Sequence, residues 1–172
     1  RVLFRSKFLI QLFTELQEKK NVRSNLSALR ASLKEATEEQ KAQAIEFVRG
    51  HEDLVFGFLQ EEDAKTRKNA ALLLGDLAVQ NALQPLWKAY TREQTLFVKS
   101  AYLEAMKALH AEEILSQLKD RLAELEGEPV TEENRKHWEA ELRALRAILI
   151  QYEGIDTHHF DIKQKNNHVL LV

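Results

Sequence analysis

The chain has 172 residues, enough to bury one sizeable core. Charged residues make up 30% of it and only five Gly and two Pro occur, a balance that suits long solvated helices and leaves too little turn chemistry for a β-rich fold. The 25 Lys and Arg stand against 27 Asp and Glu for a net charge of -2, and the lack of cysteine excludes disulfides, thiolate nucleophiles and cysteine-ligated metal centres while favouring a cytoplasmic setting.

Phe4, Phe8, Leu9, Leu12, Phe13 and Leu16 recur at three- and four-residue intervals, which predicts a first helix running to about Lys20 with Asn21 as its stop. Arg5, Lys7, Gln11 and Glu15 interrupt residues 2–16, so the segment is neither a membrane span nor a secretory signal. An amphipathic helix docked on its neighbour is expected there, with no membrane partner. Val22, Leu26, Leu29 and Leu33 form the stripe of a second helix. Thr37-Glu38-Glu39-Gln40 reads as a capping box that starts a third helix near residue 38, which closes at Gly50. Leu54, Val55, Phe58 and Leu59 then mark a short helix over residues 51–60.

Residues 63–78 are the most informative stretch. Asp63 opens a helix, Arg67 follows four positions later, Ala70 and Ala71 permit close helix approach, and Leu74-Gly75 leads into a further apolar turn. This segment resembles the second helix of a HEAT repeat. The resemblance implies an α-α superhelix, a solenoid of antiparallel helix pairs that binds other macromolecules, with Asp63, Arg67, Ala70, Ala71, Leu74 and Gly75 as its structural signature. It also implies that Arg67 pairs with an acidic residue of a neighbouring repeat.

Leu83, Leu86, Trp87 and Tyr90 line the next first helix over residues 81–91, with Pro85 near its first turn where a missing amide proton costs least. Its partner covers residues 95–109. Ala70, Leu74 and Leu77 match Ala101, Ala105 and Ala108 at an offset of 31, whereas Val98-Lys99 matches Thr66-Arg67 at 32, so the repeat register stays open by one residue. A third pair spans residues 112–127 and 131–153. Trp138, Leu142, Leu145, Leu149 and Tyr152 run along its second helix as a seam of about two heptads, too short for a sustained coiled coil and suited to packing inside the array.

After Gly154 the helical pattern stops. His159 to Lys163 alternates polar and apolar residues, and with residues 164–172 it predicts a short C-terminal β-hairpin, or the start of a truncated following domain. The domain expectation is a HEAT-like repeat domain over 1–154 followed by 155–172. Beginning at Arg1 and ending in Val169-Leu170-Leu171-Val172, the chain reads as part of a larger protein.

No catalytic motif emerges. The glycines at 50, 57, 75, 127 and 154 spell neither a dinucleotide fingerprint nor a P-loop, and no Gly-x-Ser-x-Gly elbow occurs. Asp156, His158, His159, Asp161 and His168 lie close in sequence, but their spacing does not converge three or four ligands, so neither metal nor cofactor is expected. Glu61-Glu62 reads as a first-turn pair favoured by the helix dipole.

Charge is banded along the chain: Lys and Arg outnumber acids seven to two over residues 1–31 and seven to three over 65–110, while acids lead nine to three over 32–64 and eleven to six over 111–154. Lys65, Lys68, Lys99 and Lys107 all fall on second helices and form a candidate cationic binding strip for an acidic peptide or phosphates. The leading expectation is a non-catalytic scaffold that binds a protein partner or an attached domain, with nucleic acid as the second class of partner. Two alternatives are the N-terminal appendage of an RNA-modifying methyltransferase, drawn from residues 158–172, and a HEAT-type DNA glycosylase, for which Asp76 is the only available acid on the best repeat helix. Trp87 and Trp138 sit in apolar stripes, where core packing explains them.

Overall fold

The computed structural model describes residues 6–153. These divide into two compact units that meet at Leu109 and His110 in sequence. The first contains α1 (Lys7–Gln17), α2 (Val22–Leu33), α3 (Glu38–Gly50), α4 (Glu52–Phe58), α5 (Ala64–Asp76), α6 (Leu83–Arg92) and α7 (Leu96–Ala108); the second contains α8 (Leu115–Gly127) and α9 (Arg135–Glu153). Short 3₁₀ turns at Gln80–Ala82 and Ala111–Ile114 lead into α6 and α8.

Local chemistry accounts for most of the helix ends. At the start of α3 the Thr37 amide donates to Gln40 Oε1 (3.0 Å) and the Gln40 amide to Thr37 Oγ1 (3.1 Å), the reciprocal box read from the sequence. Ser6 Oγ caps α1 by accepting from the Leu9 amide at 3.1 Å. That helix ends at Gln17, earlier than the apolar spacing suggests, because Lys19 turns left-handed at φ 58°. The Lys20 amide then reaches back to the Glu15 carbonyl at 2.9 Å, closing a Schellman motif without glycine. The end of α5 repeats the device: Ala78 has φ 53° and the Val79 amide returns to the Leu74 carbonyl at 3.0 Å.

Within the first unit α5 packs on both α2 and α7, while α1, α4 and α6 pack on α2, α5 and α7 respectively. The second helices form a parallel row. Arg23, in the first turn of α2, lies 3.6 Å from Asp63 at the start of α5, and Arg30, in the last turn of α2, lies 2.8 Å from Asp76 at the end of α5. Likewise Gly75 in the last turn of α5 faces Ala105 in the last turn of α7. A Cβ built on Gly75 would stand 3.0 Å from Ala105 Cα, so the absence of a side chain there lets the two backbones approach. The core is largely aliphatic, with Leu26, Leu29, Ala70, Leu74, Val98 and Met106 all inaccessible to solvent and Phe58, Tyr90 and Tyr102 buried among them.

This arrangement resolves the repeat register. Buried Thr66, Asn69, Ala70, Leu73, Leu74 and Leu77 of α5 and its cap correspond position by position to buried Val98, Ala101, Tyr102, Ala105, Met106 and Leu109. The N-caps Asp63 and Thr95 are also 32 apart. The offset is therefore 32. At that offset Arg67 corresponds to Lys99, and Gly75 to Lys107.

In the second unit α8 and α9 run antiparallel. Trp138 Nε1 at the start of α9 donates to the Leu125 carbonyl near the end of α8 (2.6 Å), and at the far end the Ala111 amide donates to the Tyr152 hydroxyl (2.7 Å). Leu145, Ile148 and Leu149 are fully buried, so the seam of α9 packs within the chain.

The fold is all-α, and the helix pairs of the first unit are consistent with a helical repeat. One part of the expected fold class is corrected: no β-strand occurs among the described residues, since helical character continues to Glu153. The hairpin expected at residues 155–172 lies outside the described residues, as do Asp156, His158, His159, Asp161 and His168.

Candidate functional site

The signature residues of α5 divide between anchoring and packing. Asp63 Oδ2 accepts from the Thr66 amide (2.9 Å) and from Thr66 Oγ1 (2.8 Å), which holds its carboxyl below the ordinary aspartate value. Ala70, Ala71 and Leu74 have no exposed surface and form the floor on which neighbouring helices pack.

Arg67 is the centre of a clamp. Its Nε donates to Glu93 Oε1 (2.9 Å), its Nη2 to Glu93 Oε2 (2.8 Å), and its Nη1 to the carbonyls of Glu61 and Glu62 (2.8 Å each). One guanidinium therefore joins the loop entering α5 to the loop entering α7. Glu93, only 7% exposed, also accepts from the Thr95 amide (3.2 Å) and the Tyr102 hydroxyl (3.1 Å). Burial alone favours its protonated form, but these four donors outweigh that effect and hold the carboxyl below the ordinary glutamate value. Burial and the adjacent Glu93 charge push the Tyr102 phenol well above its usual value. The Glu93 hydrogen bonds raise the Arg67 guanidinium further still.

The four lysines of the candidate strip do not share one environment. Lys65 and Lys68, three residues apart on α5, lie on its outward stripe with Leu72 and Asp76. On α7 the corresponding stripe is Phe97, Ser100, Glu104 and Ala108, so the cationic pair is not continued there. Lys107 is exposed in the last turn of α7. Lys99 turns to α6, with its ammonium 5.6 Å from the centre of the Tyr90 ring. Thus Arg23 and Lys65 act on Asp63 at the N-terminal ends of α2 and α5, Lys99 faces Tyr90, and Lys107 lies in the last turn of α7.

A second cationic concavity lies at the opposite ends of the same helices. Leu33, Ile45 and Leu77 form the apolar floor of a groove of about 410 Å³ between α2, α3 and the end of α5. Arg30, Lys34 and Lys41 line its rim with Asp76. Sequence reasoning missed it because only Arg30 and Lys34, four apart on α2, carry a local signal; Lys41 and Asp76 arrive through tertiary packing.

Among the described residues no group of three or more His, Asp or Glu side chains converges as a metal site. No helix among them is long and apolar enough to cross a membrane. Asp76, the only acid available for a glycosylase role, is ion-paired to Arg30, and the ring of Trp87 packs 5.3 Å from that of Tyr90. No protein-family model, curated protein or solved structure matches the chain.

Proposed function

We propose that the chain is a non-catalytic binding module of the HEAT-repeat type, which offers the outward stripes of α2, α5 and α7 to a protein partner or an attached domain. The observation that supports this reading is the parallel row itself. α5 packs between α2 and α7, and the buried faces of α5 and α7 match in register, which turns Lys65, Lys68 and Leu72 of α5 away from the core. Lys65 and Lys68 place two cations on α5 that suit an acidic partner surface. Cytoplasmic residence accompanies this reading. The methyltransferase-appendage alternative draws on residues 158–172, outside the described residues.

The test is charge reversal on the full chain. Lys65→Glu with Lys68→Glu should lower capture of the native partner, quantified by mass spectrometry and then by direct titration of the purified partner, by about tenfold. Lys88→Glu, exposed on α6, should leave capture unchanged. Loss of every partner in the α6 variant, with none lost in the α5 variant, would move the binding face to the first helices.

A further inference from the structure

The groove at the C-terminal ends of α2 and α5 has a feature the α5 lysines lack: a guanidinium that is fixed but not satisfied. Arg30 binds Asp76 Oδ2 through Nε alone (2.8 Å), and its two terminal nitrogens have no acceptor among the described residues. Its side chain is 24% exposed and lines the groove. Arg67 shows what a complete set looks like in this chain, with Nε, Nη1 and Nη2 all engaged. Asp76 thus acts as a bracket that orients Arg30 and leaves its paired terminal donors open to a planar anion.

The remaining rim repeats that charge. Lys34, the C-cap of α2 and four residues beyond Arg30, forms no ion pair among the described residues. Lys41, from α3, has only a distant contact at 3.9 Å with the almost fully exposed Glu38. With Asp76 beside Arg30 and Glu38 beside Lys41, the three rim cations still exceed their acidic partners by one. Its floor is nevertheless apolar, built from Leu33, Ile45 and Leu77.

We propose that this groove binds an acidic amphipathic peptide segment of a protein partner, seating one carboxylate on the open fork of Arg30 and one or two aliphatic side chains on the Leu33–Ile45–Leu77 floor. A bare phosphate would satisfy the rim and leave the floor wet; an apolar helix would cover the floor and leave the cations without counter-charge. A segment with Glu and Leu three or four positions apart meets both requirements. The proposal does not rest on the reading of Lys65 and Lys68, because the two sites lie at opposite ends of α2 and α5.

Its test is fluorescence-anisotropy titration of the full chain with a labelled twelve-residue helical peptide bearing Glu and Leu at that spacing. Two matched peptides accompany it, one with Glu replaced by Gln and one with Leu replaced by Ser. Both replacements should weaken binding at least about tenfold, as should Lys34→Glu with Lys41→Glu in the protein. Arg30→Lys, which keeps the charge and removes the fork, should weaken binding several-fold with the helical circular-dichroism signal preserved. The Lys65→Glu, Lys68→Glu variant should bind the peptide as the parent does. Equal weakening by both charge-reversed pairs would reduce the effect to general electrostatics and overturn the proposal. So would undiminished binding of the Gln or Ser peptide, or a single-stranded RNA bound more tightly than the peptide and lost in the same variants. A monomer–dimer equilibrium abolished by Lys34→Glu with Lys41→Glu, without peptide binding, would give the groove to a second copy of the chain instead.

Discussion

Glu93 ties α5 to α7, since four donors from Arg67, Thr95 and Tyr102 converge on its two oxygens. Removing one partner of so buried a pair leaves the other uncompensated. Arg67→Met and Glu93→Gln are each expected to cost about 3–5 kcal/mol of stability, and the double variant less than their sum, measured by urea unfolding in a double-mutant cycle. The carboxyl is depressed on folding, so the unfolded chain binds its proton first as pH falls. The stabilisation is complete above the ordinary glutamate value of 4.5 and is lost as pH drops through the lower folded value. Glu93→Gln should flatten that acid limb; an unchanged limb would show that other carboxylates cause it. The left-handed residues make the opposite kind of prediction. Ala78 adopts φ 53° where glycine is relaxed, so Ala78→Gly should raise stability by about 1 kcal/mol in the same measurement.

At the level of elements, the close approach of α5 and α7 depends on Gly75. Alanine is the better helix former by about 1 kcal/mol, yet its Cβ would press on the Ala105 backbone at 3.0 Å, which cannot rotate away. Gly75→Ala is therefore expected to lower the melting temperature in calorimetry. Adding Ala105→Gly should restore little, because the nearest atom is Ala105 Cα and not its side chain. The sequence foretold much at this scale: the capping box of Thr37 and Gln40, the Asp63 cap, the Gly50 closure and the position of Pro85 are local chemistry and stand where spacing puts them. It left the register open by one residue, since alanines fit either alignment and only burial, such as that of Thr66 with Val98 and of Leu73 with Ala105, separates them. It also read Glu61 and Glu62 as dipole partners, whereas their backbone carbonyls are what Arg67 uses. Of the candidate strip, Lys65 and Lys68 stand three apart on α5. Lys99 was hidden by its contact with Tyr90, a tertiary partner that no spacing announces.

For the molecule as a whole, the two compact units differ in charge: Lys and Arg outnumber acids 17 to 14 in residues 1–109, and acids lead 13 to 8 in residues 110–172. Among the described residues each unit holds a buried arginine–glutamate fork, Arg67 with Glu93 in the first and Arg121 with Glu141 (3.0 and 3.1 Å) in the second. The first fork bridges successive helix pairs. Its three-way grip sets how disorder spreads: if the entrance to α5 loosens, Arg67 releases the entrance to α7 in the same event. Amides of α5 and α7 should then exchange with deuterium at a common rate in the parent chain and at separate rates in Arg67→Met. A stack whose neighbours are riveted in this way fails as one piece, so a partner that pries open a single layer must work against two.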